Sequence, residues 1–153
     1  ALREAEHQQF LLMRDECEPL PGATELLEQL VRRSVTVVLA SSAAEDDVEH
    51  FVGVLHAETL VDDWTTADDV SRSKPHPELV NAALEKIHSP GRAVMIGDSR
   101  WDVEAAAAAG LETICVLTGG WSEQELYDAG ATCVFESPAD LSRNIDETPL
   151  SSR

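Results

Sequence analysis

Three turns of this sequence carry polar side chains whose types and spacing could support chemistry. Ser41 and Ser42 follow an apolar run, and Lys74 precedes a proline. Asp98 and Asp102 stand four residues apart in the stretch GDSRWD. Hydroxyl and ammonium groups bind the oxygens of a phosphoryl group, and a pair of carboxylates can hold a hard cation such as Mg²⁺. Together these side chains predict a site for a phosphorylated ligand and a divalent cation.

Each of these residues also has an ordinary structural interpretation. Ser42 stands three residues before Glu45, which is the spacing of a capping box at a helix start. Lys74 could be an exposed lysine at a helix entrance, and the helix dipole alone favours Asp102 near a helix N-terminus. We also expect three pairs of adjacent aspartates to lie on the solvated surface: Asp46-Asp47, Asp62-Asp63 and Asp68-Asp69. A joint site therefore requires a fold that brings the three turns together.

Short apolar runs alternate with helical stripes along most of the chain. The runs predict buried strands at 35–40, 93–97, 113–117 and 132–135, with a weaker candidate at 64–66. Apolar residues three and four apart predict helices at about 1–15, 23–31, 48–55, 79–87, 105–109, 123–129 and 138–145. This alternation is typical of an α/β fold, a Rossmann-like three-layer arrangement around a parallel sheet. Ligands bind such sheets beyond the carboxyl ends of the strands, where the serine and aspartate turns stand.

The composition favours a folded, acidic protein. Eleven lysines and arginines stand against 29 aspartates and glutamates, giving a formal net charge of −18 over 153 residues, of which 43% are hydrophobic. The length predicts one domain, and an acidic chain without a basic cluster argues against nucleic acid or an anionic membrane as partner. Since no apolar run approaches the ~20 residues of a membrane-spanning helix, we expect a cytoplasmic protein. Three cysteines without CxxC spacing argue against a disulfide framework or a zinc site. The oligomeric state stays open.

The segments that carry these turns resemble the haloacid dehalogenase superfamily of phosphatases, in particular its phosphoglycolate-phosphatase-like branch. The most specific part is GDSxxD combined with an upstream KPxP and a strand that ends in serine. The resemblance runs through PLPGATELLEQL (19–30), VVLASSA (37–43), TTADDVSRSKPHPE (65–78), VMIGDSRWDVEAAAAAG (94–110), VLTGG (116–120) and YDAGATCVF (127–135). It implies a Mg²⁺-dependent hydrolase that acts on a small phosphorylated metabolite.

The resemblance also implies a role for individual residues. Ser41 is similar to the family's hydroxyl that hydrogen-bonds the transferring phosphoryl group, and Ser42 stands beside it as a further hydroxyl donor. Lys74 is similar to the lysine that steadies the nucleophile's charge and the phosphoryl oxygens. Asp98 is similar to the family's Mg²⁺ ligand, with Asp102 supporting the metal or its waters.

One part of the family's pattern is missing from these 153 residues. The family uses a DxD motif whose first aspartate attacks phosphorus and whose second is the general acid/base, and no DxD followed by Gly-Thr occurs here. In the family that strand lies between the strand ending at Ser41 and the one ending at Gly97. Its absence would leave unpaired backbone groups on both neighbours, at about 1–3 kcal/mol for each buried group. We therefore expect the C-terminal part of a longer phosphatase, inactive without the DxD segment and lacking most of the family's helical cap.

The expected organisation has three parts: a remnant of a cap helix at 1–17, the core domain at 18–146 and a polar tail at 147–153. An alternative of a different class is a catalytically inactive relative that binds phosphate, metal or a partner protein, since the other motifs stand here without a nucleophile. A haloacid dehalogenase proper needs no metal and is disfavoured by the GDSxxD carboxylates. A nicotinamide-binding fold is disfavoured because no GxGxxG turn follows a strand.

Overall fold

The computed structural model describes residues 10–11, 13–70, 76–88 and 91–151. Helices and parallel strands alternate along this part of the chain, which confirms the α/β prediction. The strands are β1 (Val38–Leu39), β2 (Asp63–Trp64), β3 (Val94–Gly97), β4 (Glu112–Val116) and β5 (Cys133–Phe135). The helices are α1 (Ala23–Arg32), α2 (Glu45–Val54), α3 (Glu78–Glu85), α4 (Arg100–Ala108), α5 (Glu123–Ala129) and α6 (Pro138–Arg143). Short 3₁₀ helices cover Ala67–Asp69, Leu117–Gly119, Ile145–Glu147 and Pro149–Ser151.

The described strands form two parallel sheets rather than one. β1 pairs with β2, and the second sheet has the order β3-β4-β5. A cleft of about 540 Å³ separates them, with Val38 and Ala40 on one side and Val94 and Met95 on the other. We call this cavity the inter-sheet cleft. It lies between the strand that precedes Ser41 and the strand that ends at Gly97, where the family resemblance predicts a further strand.

Pairing on one side explains why the strands beside the cleft are short or half-buried. The run 35–40 was predicted as a strand, but the ladder with β2 covers Val38–Leu39 alone. Just outside this ladder, the N–H of Thr65 donates to the carbonyl of Leu39 at 2.9 Å. All four residues of β3 are half-buried, whereas β4 lies between two strands and is buried at four of its five positions.

The apolar core connects the two sheets although their backbones are separate. One cluster joins Leu30 of α1 and Val52 of α2 to Ile114 of β4, together with Leu141 of α6. The α1 and α6 helices pack against each other across this cluster. A smaller cluster under α4 and α5 contains Val103, Cys115, Leu126 and Ala131. Side-chain packing therefore holds β1 and β3 on either side of the cleft.

Helix boundaries confirm some sequence predictions and correct others. The helix predicted at 123–129 is α5, with Ser122 as its N-cap in a capping box, and Gly110 follows α4 with a φ of +78°. The capping box predicted at Ser42 is wrong, because α2 begins at Glu45 after Ala44, which makes no side-chain cap. The last helix ends at Arg143 rather than near residue 145, and 3₁₀ turns follow.

The prediction that the adjacent aspartates lie on the solvated surface is wrong for Asp47, which is buried. Asp47 is 7% exposed and forms an ion pair with Arg14 at 2.8 Å. Asp62 and Asp69 are exposed, as predicted, and still make contacts with the backbone. Asp62 accepts a hydrogen bond from the N–H of Val37 at 2.8 Å, and Asp69 accepts from the N–H of Thr66 at 2.7 Å in the capping box of a 3₁₀ helix. These carboxylates thus hold backbone turns and join the segment around Arg14 to α2. Most of the predicted first helix falls on residues 1–9 and 12, outside the described part of the chain.

No helix in the described part of the chain is both long enough and apolar enough to span a membrane.

Candidate active site

The serine and aspartate turns follow the two strands that face the inter-sheet cleft. Ser41 comes two residues after β1, and Asp98 comes directly after β3. Both residues are half-buried, whereas Ser42 is exposed. Lys74 lies outside the described residues, so its place beside the others stays a prediction. The structure thus places two of the three predicted groups after the ends of the two strands that line the cleft, while the lining itself stops at Ala40 and Met95.

The turn after β3 is held by a capping box that sequence reasoning missed. Ser99 is the N-cap of α4, and its Oγ accepts a hydrogen bond from the N–H of Asp102 at 3.2 Å. In return, Oδ2 of Asp102 accepts from the N–H of Asp98 at 3.2 Å and from the N–H and hydroxyl of Ser99 at 3.1 and 2.7 Å. The spacing S-x-x-D was visible in the sequence. Asp98 and Asp102 are therefore in direct contact, and the 3% exposed Asp102 organises the turn.

Two glycines provide the space that this arrangement needs. A Cβ at Gly97 would lie 2.5 Å from the Cβ of Asp102 and 2.9 Å from its Oδ2. A Cβ at Gly119, in the loop after β4, would overlap the carbonyl oxygen of Asp98. Both strand ends therefore approach the aspartates more closely than a larger residue would allow.

Thr118 is a second contact of Asp98 that sequence reasoning did not identify. Its hydroxyl donates to Oδ2 of Asp98 at 3.3 Å. Thr118 stands two residues after β4, so the rule that placed Ser41 and Asp98 at strand ends could have found it. An acceptor oxygen of Asp98 is thereby oriented by a neighbouring strand end.

A pair of tryptophans joins the start of α4 to the loop before α5. The rings of Trp101 and Trp121 meet edge to face, with centroids 6.1 Å apart and planes at 87°. The guanidinium of Arg100 lies over both rings, 5.1 Å from one centroid and 5.8 Å from the other, and pairs with Glu104 at 2.7 Å. Trp101 is exposed, and Trp121 also packs on the smaller core cluster. This cluster helps to keep the loop that carries Thr118 against the aspartate turn.

The backbone of Ser41 is fixed by a residue of the neighbouring strand. The hydroxyl of Thr65 accepts from the N–H of Ser41 at 2.9 Å and donates to the carbonyl of Ser41 at 2.8 Å. The Oγ of Ser41 accepts from the N–H of Ala43 at 3.1 Å. Sequence reasoning read Thr65 as part of a weak strand and gave it no role.

The aspartate turn has donor chemistry that suits Mg²⁺. This cation usually takes one or two protein carboxylates and keeps several waters or substrate oxygens as its other ligands. Asp98 is a half-buried residue in contact with Asp102, and it would be the direct ligand of the two, because Oδ2 of Asp102 accepts hydrogen bonds from the backbone. Over residues 10–11, 13–70, 76–88 and 91–151, no group of three or more histidine, cysteine, aspartate or glutamate side chains could hold a metal.

Two cysteines near the site are unsuited to nucleophilic attack. Cys115 is fully buried in β4, and this burial raises the pKa of its thiol to about 12, with the negative charges of Asp102 and Asp98 acting in the same direction. Burial also raises the pKa of Cys133, with a further contribution from Glu112. Both thiols are protonated at neutral pH, whereas the thiolate is the nucleophilic form.

Comparison with known sequences gives a consistent set of relatives. A sequence model of one family, haloacid dehalogenase-like hydrolase, matches residues 1–110. The chain is 29% identical over 140 residues to the pyrophosphatase PpaX of Bacillus pumilus, an overlap of 91% of this chain and 63% of that protein. It is 30% identical over 122 residues to the phosphoglycolate phosphatase of Rhodospirillum rubrum, an overlap of 79% of this chain and 50% of that protein. The chain thus spans between half and two thirds of the length of these two relatives.

Solved structures share the architecture. A hydrolase from Pseudomonas syringae matches with a TM-score of 0.86 and 35% identity, covering 95% of this chain and 68% of that one. CbbY from Rhodobacter sphaeroides, solved in complex with phosphate, matches with a TM-score of 0.77 and 27% identity, covering 91% of this chain and 64% of that one. Both matches extend over nearly all of the present chain.

Proposed function

We propose that this chain, which belongs to the haloacid dehalogenase-like hydrolase family, is the C-terminal part of a Mg²⁺-dependent phosphatase. The reaction is hydrolysis of a small phosphate monoester through an aspartyl-phosphate formed on an aspartate outside these 153 residues. The observation that carries the proposal is the turn from Gly97 to Asp102. It holds two carboxylates at the carboxyl end of β3, where sheets of this class bind their ligands.

Each candidate site residue has a defined role in this proposal. The hydroxyl of Ser41 donates to a phosphoryl oxygen, and the exposed hydroxyl of Ser42 is available for the same group. The ammonium of Lys74 binds phosphoryl oxygens and steadies the charge of the nucleophile. Asp98 holds Mg²⁺, while Asp102 keeps the turn in place and supports the metal's waters. When bound, Mg²⁺ neutralises charge on the phosphoryl oxygens.

The inter-sheet cleft supports this proposal because it lies where an additional strand, carrying the nucleophile, would fit. A parallel strand between β1 and β3 would pair with the backbone of both, and its carboxyl end would emerge between Ser41 and Asp98. An aspartate at that end would meet the hydroxyl and the carboxylates described above. Each buried backbone group left without a partner costs about 1–3 kcal/mol, so such a strand would also stabilise both sheets.

The substrate class follows from chemistry and from relatives. The chain is similar to the phosphoglycolate phosphatase of Rhodospirillum rubrum and to a phosphorylated carbohydrates phosphatase of Thermotoga maritima. We propose a small phosphorylated metabolite of the cytoplasm as substrate. A net charge of −18 opposes the approach of nucleic acid and of anionic membranes.

The proposal is tested by joining an N-terminal segment that contains a DxDGT strand to this chain. Phosphate release from p-nitrophenyl phosphate and 2-phosphoglycolate is measured with Mg²⁺ and with a chelator, after circular dichroism has shown cooperative unfolding. We expect Mg²⁺-dependent turnover that falls at least about 100-fold in Asp98→Asn, because an assigned metal ligand is lost. Asp68→Asn is the matched control, since it neutralises an exposed aspartate outside the turn. The proposal is contradicted if Asp98→Asn leaves turnover unchanged, or if the folded protein shows no turnover.

A second candidate is an inactive member of the family that binds a phosphorylated ligand. It is favoured by one observation, the lack of a DxD motif in these 153 residues. Under this proposal the chain as it stands binds inorganic phosphate and Mg²⁺, and joining a DxDGT segment produces no turnover. The experiment above separates the two candidates.

A further inference from the structure

The Thr65 hydroxyl extends the connection between β1 and β2 beyond their ladder. The ladder ends at Leu39, paired with Trp64, and the N–H of Thr65 still donates to the carbonyl of Leu39 at 2.9 Å. Beyond Leu39 the contact between the two segments is made by the Thr65 side chain instead of by backbone groups. The single Thr65 hydroxyl both accepts from the N–H of Ser41 and donates to its carbonyl, at 2.9 and 2.8 Å.

This contact is fully buried and bridges distant parts of the sequence. Thr65 is 0% exposed and lies 24 residues from Ser41. A hydroxyl can donate one hydrogen bond and accept two, so both backbone contacts are compatible with one side chain. Valine has a similar shape and would pack equally well, but it would leave both polar groups of the Ser41 backbone without this partner. The choice of threonine is thus explained by Ser41 rather than by the core.

The hydroxyl of Ser41 is also set in orientation by its surroundings. Its Oγ accepts from the N–H of Ala43 at 3.1 Å, which uses an acceptor position and keeps the O–H for donation. A donor fixed in this way suits an anionic oxygen. Its direction depends on the backbone of Ser41, which Thr65 holds on both sides.

We propose that Thr65 is a positioning residue that holds the Ser41 backbone so that the Ser41 hydroxyl meets a phosphoryl oxygen. This inference rests on the proposed function, since that function makes Ser41 a phosphoryl-binding group. Thr65 itself does not touch the substrate. It acts through two hydrogen bonds to one residue, and its effect on ligand binding disappears when the Ser41 hydroxyl is absent.

The test uses Thr65→Val, which removes the hydroxyl at similar volume, and Thr65→Ser, which restores it. Thr66→Val is the matched control, because the Thr66 hydroxyl contacts the turn at Asp68 and Asp69 instead of Ser41. Amide hydrogen exchange at Ser41 is measured by NMR in the chain as it stands. Binding of inorganic phosphate with Mg²⁺ is measured by titration in the same samples.

We expect Thr65→Val to speed exchange of the Ser41 amide by about tenfold or more and to weaken phosphate binding by a similar factor. Thr65→Ser and Thr66→Val stay close to the unaltered protein. In a Ser41→Ala background, Thr65→Val has no further effect on phosphate binding, which a purely structural role would not produce.

Different results contradict different statements. Unchanged exchange at Ser41 in Thr65→Val, or an equal loss of phosphate binding with and without the Ser41 hydroxyl, overturns the positioning role. Failure of the unaltered chain to bind phosphate contradicts the phosphoryl-binding role that the proposed function gives to Ser41. The exchange measurement still decides whether Thr65 holds the Ser41 backbone.

Discussion

Replacing Asp102 with alanine is expected to release the turn between β3 and α4. The Asp102 carboxylate accepts three hydrogen bonds on a single oxygen, two from backbone N–H groups and one from the Ser99 hydroxyl, at 2.7–3.2 Å. The side chain is 3% exposed, so water cannot readily replace these contacts. Alanine removes the acceptor and leaves the N–H groups of Asp98 and Ser99 without it.

The expected loss of stability follows from these contacts. A hydrogen bond to a charged group contributes about 1.5–3 kcal/mol, and loss of a helix cap alone costs about 0.5–2 kcal/mol. Because the three bonds share one oxygen and are not additive, we expect Asp102→Ala to lower the free energy of unfolding by about 3 kcal/mol. Asp102→Asn keeps a neutral oxygen and should lose less, about 1–2 kcal/mol.

Urea unfolding followed by circular dichroism measures this loss. The chain contains a matched control, because Ser122 and Glu125 form a second capping box of the same kind at the start of α5. Glu125 is exposed, and its hydrogen bonds to Ser122 lower its pKa, yet solvent screens this pair. Glu125→Ala should therefore be less destabilising than Asp102→Ala. Equal losses for the two variants, or a loss below about 1 kcal/mol for Asp102→Ala, would refute the reasoning.

Three further outcomes are expected from urea unfolding. Gly97→Ala should cost about 2 kcal/mol or more, since its Cβ would lie 2.5 Å from that of Asp102, whereas Gly91→Ala, with nothing within 4 Å, should cost nothing. Gly53→Ala should stabilise α2 by about 0.5–1 kcal/mol, because its Cβ meets only an ordinary 3.8 Å contact. Burial raises the pKa of the Cys115 thiol from its ordinary 9.0 to about 12, so the folded state keeps a proton that the unfolded state loses between these pH values. The contribution of the thiol to stability is therefore complete below pH 9 and is lost toward pH 12. The free energy of unfolding should fall more steeply over this range, by at most about 1.4 kcal/mol per pH unit, and Cys115→Ala should remove this extra slope. A Gly91→Ala loss matching Gly97→Ala, a Gly53→Ala loss, or an unaltered slope in Cys115→Ala would contradict these expectations.

The alternation of strands and helices was predictable because it depends on local apolar patterns. The strands β3, β4 and β5 are recognisable in the sequence by their branched apolar residues. The observed ends of each strand lie within one or two residues of the predicted ends. The run at 35–40 was predicted too long because strand length depends on partners. β1 has a partner on one side within the described residues, and a local pattern carries no information about the other side.

The candidate site was predictable where it follows a strand end and obscure where it depends on contacts between distant segments. Asp98 and Asp102 share one turn, so their spacing alone indicated that they would meet. Thr65 contacts Ser41 across 24 residues, and Thr118 contacts Asp98 across 20. Neither contact leaves a periodic signal in the sequence.

The error at Ser42 has a local physical cause. Its spacing from Glu45 satisfied the capping-box pattern, but the neighbouring Ser41 hydroxyl bonds the N–H of Ala43 and holds the chain in a turn before the helix. The helix then starts after Ala44. The spacing of residues alone does not show which of two adjacent serine side chains will bond the backbone before the helix.

The central claim is that Ser41 and Asp98 border one site for a divalent cation and a phosphoryl group. Its most direct test is paramagnetic broadening of amide signals in the ¹⁵N-labelled chain when Mn²⁺ is added with inorganic phosphate. We predict that the signals of Asp98, Ser99 and Ser41 broaden together at low Mn²⁺ and that Asp98→Asn abolishes this broadening. Asp68 and Glu85 are exposed carboxylates that line a separate, open concavity between the 3₁₀ helix at Ala67–Asp69 and α3. Broadening confined to the signals around these two residues, with Ser41 and Asp98 unaffected, would contradict the central claim.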